Sequence, residues 1–562
     1  MKIKFLLSLF MGSALSLSAQ GYLDGVEYYR ADQTNAAKTI LERTLNDAGT
    51  DKATSYYYLG QIAIKNNDKA KAKENFEKGV ATDANNPYNY VGLAALDLAN
   101  GDKKAADENV KMAKKLGKKD AQLLVDIARI YFEADPVAYD KDIQKAMKDA
   151  LKINKEEASY YIFIGDTIAA TAGSDNVKVG NAAGMYENAI LYAPNSAVAY
   201  VKYSSLYEKV NPTFSVQKMR EYLKTNPNSA LAQRELAARL YDAGRWTQAV
   251  AAYEECIKNP SHLVEDEERY ATLLMSGEKY EDAYNVAKGV VSRTENPNQM
   301  YRVMMHSKNS LKDYNEAVKW AEELMKTKAT SKIVEIDYLT YGEVLEGLAT
   351  VDTANASNYI DKAVAQYKEI LNMNNKYIPA YKALSNLYRN INDYANAVNY
   401  YDQFVATGEA KAGDYHTYAG LILNYANRQV EVDSIGAQAI YDKAVDAATI
   451  AVDRSNNPYA QERKAIILFS KNQGVITAEV AQAFEKVVEM LDVNPKNIQE
   501  DPDTYKKALA FIGDYYTKVG ENEKALAAYN RYLTIDPTKE TVINRINYLN
   551  ELIAKEAAEA TE

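Results

Sequence analysis

Tyr56-Tyr57-Tyr58-Leu59-Gly60 is followed by Ala72, Phe76 and Gly79, and the stretch closes on Asp83-Ala84. The reading of this stretch decides the fold, because the same spacing returns far along the chain. Ala508-Leu509-Ala510-Phe511-Ile512-Gly513 is followed by Ala525, Tyr529, Tyr532 and Asp536-Pro537. Tyr381, Leu384, Tyr388, Ala397, Tyr401 and Phe404 keep the same register, as do Leu236, Leu240, Gly244, Ala249 and Tyr253. Large residues at i, i+3 and i+7 make one apolar stripe on a helix. A small residue beside that stripe lets a second helix approach, and its Ala and aromatic residues at i, i+4 and i+7 face back. Short polar turns such as Asn66-Asn67-Asp68 and Asn100-Gly101-Asp102 join the two helices. Gly and Asn tolerate the left-handed backbone that ends a helix. The unit is a pair of antiparallel helices.

The prolines mark the period. Pro87, Pro212, Pro227, Pro260, Pro297, Pro458 and Pro495 follow Asn, and Pro136, Pro502 and Pro537 follow Asp. Such dipeptides end one helix and open the next turn, since proline excludes its predecessor from the α region. These residues resemble the tetratricopeptide repeat, a helix–turn–helix unit of ~34 residues. Tyr stands where the family usually has Trp, at Tyr56, Tyr90, Tyr161, Tyr200, Tyr301, Tyr338 and Tyr381. The resemblance covers residues 20–539 and implies an all-α, right-handed superhelical α-solenoid of about fourteen repeats. It also implies a concave groove that binds a protein or an extended peptide. Residues 169–181, 350–358 and 426–438 read as long turns that loosen the register. Residues 540–562 open with Val542, Ile546, Leu549 and Ile553 on one helical face, the pattern of a C-terminal capping helix before an acidic tail. If the array divides into two blocks, the expected hinge is Thr327–Val334.

The chain has 562 residues, 67 of them basic and 77 acidic, for a net charge of −10, and 47% are hydrophobic. This is globular composition, and the acidic balance argues against a nucleic-acid partner. The lone Cys256 and the three histidines, His262, His306 and His416, leave no disulfide within the chain and no zinc cluster. No metal or cofactor is expected. No HExxH, GxSxG or phosphate-cradling glycine loop occurs in a suitable context, so a non-enzyme is expected. The opening MKIKFLLSLFMGSALSLSAQ has two lysines, a short apolar run and small residues at its end. Residues 1–19 therefore read as a secretory signal peptide. With no Cys after it and no later apolar run of ~20 residues, the expected product is a soluble periplasmic protein, neither lipid-anchored nor membrane-inserted.

Tyrosine stands out, with 46 against 10 Phe and 2 Trp. Tyr28, Tyr131, Tyr186, Tyr253 and Tyr367 occupy frame positions and read as packing residues. Tyr22, Tyr29, Tyr57 and Tyr241 fall on the first-helix face that lines the groove in the resembled family, together with Arg30, Gln61 and Arg234. Gly25, Tyr28, Leu59 and Gly60 already face the packed side, and one position rotates a side chain by ~100°. The former set is thus expected to project from the array as partner contacts. A second candidate patch is Lys382, Asn386 and Arg389, spaced by four and three on one helix face. Lys382 and Asn386 look like the start of the clamp with which some family members hold a peptide C-terminal carboxylate. Thr417, Glu462 and Ile466 stand where its other residues belong, so the clamp is not completed. The resulting expectation is a non-catalytic scaffold or adaptor for an envelope protein or extended peptide. A second reading is a glycan- or peptidoglycan-binding accessory protein, since Tyr-rich surfaces stack on sugar rings.

Overall fold

Several hairpins close because an aromatic ring of the second helix seats on a small residue of the first. A Cβ at Gly165 would lie 2.6 Å from the Tyr186 ring, and one at Gly513 would lie 2.6 Å from the Tyr529 ring. No larger residue fits without moving the helices apart. Both rings are almost fully buried, and a buried hydroxyl needs a partner. The residue after the glycine supplies it: Tyr186 Oη donates to Asp166 at 2.9 Å and Tyr529 Oη to Asp514 at 2.5 Å. Tyr367 likewise donates to Glu346 on its paired helix, at 2.5 Å. Such pairs are one reason the frame takes Tyr where Phe would fill the same space.

The turns follow from the same residues. Asn67 and Gly101 adopt φ of +60° and +79°. Asp51, Asp68, Asp102 and Asp120 each accept a backbone N–H at a helix start, and Pro87, Pro212, Pro458 and Pro502 occupy the first helical turn. Proline lacks only an N–H that would have had no helical partner there.

A computed structural model describes residues 21–493 and 495–559, and those residues form helices and short 3-10 turns with no strand. The proposed signal peptide lies outside the described residues. The chain divides into two compact units, one ending at Leu311 and one beginning at Lys312. Thr327–Val334 falls inside the second unit and contains a 3-10 turn, Thr327–Ala329.

Unit 1 runs through α1 (residues 21–30), α2 (Thr34–Thr44), α3 (Lys52–Lys65), α4 (Lys69–Thr82), α5 (Pro87–Ala99) and α6 (Lys103–Leu116). It continues with α7 (Ala121–Ala134), α8 (Asp140–Ile153), α9 (Ala158–Ala170), α10 (Asn176–Tyr192), α11 (Ala197–Ser205) and α12 (Pro212–Thr225). It ends with α13 (Ala230–Asp242), α14 (Trp246–Cys256), α15 (Val264–Ser276), α16 (Tyr280–Val290) and α17 (Asn298–Ser310). Odd helices are the first, and even helices the second, of each hairpin. The α1–α2 hairpin also meets residues much later in the chain. Ser261 Oγ donates to Asp24 at 2.6 Å, Arg43 donates to the His262 carbonyl at 3.0 Å, and Lys202 bonds Asp32. One continuous apolar core runs from Tyr28 to Leu263.

Unit 2 comprises α18 (Tyr314–Lys326), α19 (Glu335–Val351), α20 (Ala356–Met373), α21 (Ile378–Asn390), α22 (Tyr394–Ala406) and α23 (Ala412–Gln429). Then come α24 (Ser434–Ser455), α25 (Pro458–Lys471), α26 (Ala478–Asp492), α27 (Pro495–Glu500), α28 (Pro502–Lys518), α29 (Asn522–Leu533) and α30 (Glu540–Glu559). Neighbouring hairpins are tied by pairs such as Lys443–Asp402 (2.7 Å) and Lys507–Glu462 (2.7 Å). The last helix buries Val542 and Leu549 in the terminal core, as a cap would.

The three stretched segments correct the sequence reading. Their additional residues extend helices rather than turns. The helix α10 continues through Gly180 and Gly184 because Ala182 and Ala183 between them are buried. Elsewhere α19 reaches Val351, and α23 and α24 leave only residues 430–433 between them.

Candidate functional site

The first helices of the early hairpins put their inner faces around a cavity of about 260 Å³ in unit 1. Tyr29 and Arg30 come from α1, Tyr57, Tyr58 and Gln61 from α3, Asp126 and Arg129 from α7, and Ser159 and Ile162 from α9. Four of the residues expected at the groove, Tyr29, Arg30, Tyr57 and Gln61, thus share one site. The expectation that they project outward is wrong. Tyr57 and Gln61 are each 4% exposed, and Tyr29 and Tyr57 belong to the apolar core. Successive first helices bring their inner faces together, so side chains turned away from the hairpin partner meet one another. The Tyr57 ring lies 4.9 Å from Tyr58 and 5.5 Å from Tyr88, and Tyr29 lies 5.1 Å from Tyr58.

The wall is charged as well as aromatic. Arg30 Nε donates to Tyr58 Oη at 2.9 Å, and the guanidinium stands 3.6 Å from Asp126. Arg129 pairs with Asp166 at 3.4 Å, and Lys65 with Asp32 at 3.5 Å. Lys65 also lies over the Tyr29 ring. Burial holds the Tyr57 hydroxyl well above its ordinary range and pushes Tyr58 up to about 12, although Arg30 opposes the latter. Burial also raises the Asp126 carboxyl, against the pull of Arg30 and Arg129.

The other residues expected in that set lie elsewhere. Tyr22 is half-buried at the edge of the core, outside the cavity lining. Arg234 is bound up in structure: its Nε donates to the fully buried Asp266 at 2.8 Å, and its Nη1 to Gln33 at 3.2 Å. Tyr241 packs edge-on against Trp246, 5.3 Å away, beside a smaller apolar cluster.

A second pocket, of about 240 Å³, lies in unit 2 between α21, α23 and α25. Asn386 and Arg389 line it, with His416, Thr417, Asn424 and Arg463. Lys382 is not among them, because its ammonium is held by Asp414 at 2.7 Å over the Phe404 ring. Glu462 is engaged outside the lining, accepting from Lys507 at 2.7 Å and from Thr504 at 3.2 Å. Arg463, one position on, is the residue the sequence frame missed. Its Nη2 lies 3.5 Å from His416 Nε2. Burial first, and then Arg463, push the His416 pKa down, which keeps the imidazole neutral at pH 7. The pocket therefore presents two guanidinium groups, and no carboxylate lines it.

Among the described residues, no group of three or more His, Cys, Asp or Glu side chains is placed to hold a metal ion, and no helix is long and apolar enough to cross a membrane. Cys256 is buried, and burial raises its thiol pKa far from the reactive range.

Hairpins of this geometry, stacked first helix on first helix, define a repeat protein of the helix–turn–helix class. Family models of the tetratricopeptide repeat match residues 53–86 and 506–539, and a second model of the same repeat matches 380–414. The chain thus carries tetratricopeptide repeats in both units. It is similar to the crystal structure of the C-terminal part of a TPR repeat-containing protein from Cytophaga hutchinsonii, with 18% identity over 50% of this chain and 99% of that one, at a TM-score of 0.41. It is also similar to a human IFIT1 dimer with PPP-AAAA, with 11% identity over 91% and 95% of the two chains, at a TM-score of 0.31. No curated protein matches the sequence.

Proposed function

We propose that the protein is a non-catalytic, exported scaffold of the bacterial envelope, and that unit 2 anchors a carboxylate of a protein partner. The observation that carries this reading is the pocket of Arg389 and Arg463. It gathers two guanidinium groups with the amides of Asn386 and Asn424, in a chain of net charge −10. Guanidinium groups hold carboxylates through paired, charge-assisted hydrogen bonds. Tetratricopeptide repeats generally mediate protein–protein interaction, and stacked repeats offer an extended surface for the rest of the partner segment. Export rests on the signal-peptide pattern of residues 1–19.

The test is affinity capture from envelope extract, with the Arg389→Ala/Arg463→Ala double variant as its comparison. A stoichiometric protein captured by the wild type and lost from the variant is the expected result. Carbohydrate as the sole captured species, or equal capture by both proteins, overturns the reading. N-terminal sequencing of the mature chain checks export: a start between Ala19 and Gly21 is expected, and an intact Met1 contradicts it.

A further inference from the structure

The hairpin frame pairs a tyrosine on the second helix with a carboxylate after the first-helix glycine, as in Gly165-Asp166 with Tyr186 and Gly513-Asp514 with Tyr529. In the α3–α4 hairpin both members of the pair are changed. Gly60 still receives a ring, but the ring is Phe76, fully buried and without a hydroxyl. The position after the glycine is Gln61, whose buried Nε2 has no hydrogen-bond partner. An unpaired buried amide is costly, and the Tyr–carboxylate pair used elsewhere in this chain would have avoided it. Gln61 lines the unit 1 cavity. So does Gln122, whose buried Nε2 is also unpaired.

We propose that this cavity binds one neutral polyhydroxylated molecule, a sugar ring, for which Gln61 and Gln122 supply the amide hydrogen bonds. The volume of about 260 Å³ is far beyond what a single water fills. Each cation of the wall already faces a carboxylate: Arg30 faces Asp126, Arg129 faces Asp166, and Lys65 faces Asp32. An anionic ligand would find no unmatched cation there, since Glu133 and Glu157 add two further carboxylates to the lining. Those pairs stand 3.4–3.6 Å apart, wider than tight charge-assisted bonds of ~2.7–2.9 Å. Hydroxyl groups, which both donate and accept, suit such open pairs and the amides alike.

The site shares no residue with the pocket of Arg389 and Arg463, so the two proposals fail separately. The experiment is saturation-transfer NMR and calorimetry on the full chain with glucose, galactose, mannose and N-acetylglucosamine, and with glutamate as the charged comparison. At least one sugar is expected to bind at one site per chain, and glutamate is not. Gln61→Leu should weaken that sugar about tenfold without lowering the melting temperature. The double variant Gln61→Asp/Phe76→Tyr, which restores the frame's usual pair, should abolish binding and keep the fold. Arg389→Ala/Arg463→Ala should leave sugar binding unchanged. Binding of none of the four sugars, preference for glutamate, or undiminished binding by the restored-pair variant overturns the proposal. Loss of sugar binding in the arginine variant would place the site elsewhere and overturns it equally.

Discussion

Unit 1 and unit 2 use the same hairpin, but their long-range contacts differ. In unit 2 ion pairs join neighbouring hairpins, as between Lys507 and Glu462 or Lys443 and Asp402. In unit 1 the opening hairpin is also fastened to residues more than two hundred positions later. Asp24 receives Ser261, and Gln33 lies between Arg234 and Glu235. Solenoid stability is usually a sum over neighbouring repeats. Unit 2 follows that rule, while unit 1 adds a closing contact that couples its ends. The lesson concerns sites as well as stability. The closed unit surrounds a cavity whose carboxylates outnumber its cations, and the unit of local contacts presents a basic pocket.

Breaking the closure should have the largest effect. Arg234→Met leaves the fully buried Asp266 without its guanidinium, a change expected to cost about 4 kcal/mol. Segment-resolved hydrogen exchange should show protection lost along both α1 and α13, which are far apart in sequence. Loss confined to α13 and its immediate neighbours would mean that the closure does not couple the ends. Deletion of residues 540–562 is the matching test for unit 2. It uncovers the surface that Val542 and Leu549 bury and should cost about 3 kcal/mol. The loss should fade hairpin by hairpin away from α29. Equal loss throughout unit 2 would mean that this unit, too, behaves as one block.

Smaller changes sharpen the contrast. Tyr529→Phe removes one hydrogen bond to Asp514 and should cost about 1 kcal/mol in thermal or denaturant unfolding. A further effect is a pH slope that Glu27 gives unit 1. Burial, with Asp24 nearby, raises the Glu27 carboxyl from 4.5 to about 7. Between those values the unfolded chain has lost the proton that the folded chain keeps. The contribution of Glu27 is therefore complete below pH 4.5 and declines as pH rises toward 7. Glu27→Gln should flatten that slope in melting measured from about pH 4 to about pH 8, and an unchanged slope would assign it to other groups.

The hairpin was legible in the sequence because its determinants are local: Gly513, Ala525 and Tyr529 announce it by spacing alone. The cap was legible for the same reason, from Val542 to Ile553. That the first-helix faces of α1 and α3 share a site was also readable, since Tyr29, Arg30, Tyr57 and Gln61 line one cavity. Their burial was not, because it depends on how successive first helices come together and bring Tyr57 against Tyr88. Arg234 was misread as a groove residue because its partner, Asp266, lies one repeat further on. Comparing charges at repeat-length intervals would have found that pair. Arg463 was missed by a single position, since the family frame pointed to Glu462. Gly180 fell in the stretch read as a turn, but the packing of Ala182 and Ala183 outweighed its low helix propensity.

The contact between Asp24 and Ser261 also sets a timetable. Synthesis runs from the first residue onward, so α1 is complete long before the 237-residue separation from its hydrogen-bond donor has been bridged. Hairpins of unit 2 find their partners within a few tens of residues and can close as they emerge. Pairings so distant in sequence are slow to form, because the intervening chain must be ordered before the contact rewards it. The earliest of the described helices is thus among the last to find its place.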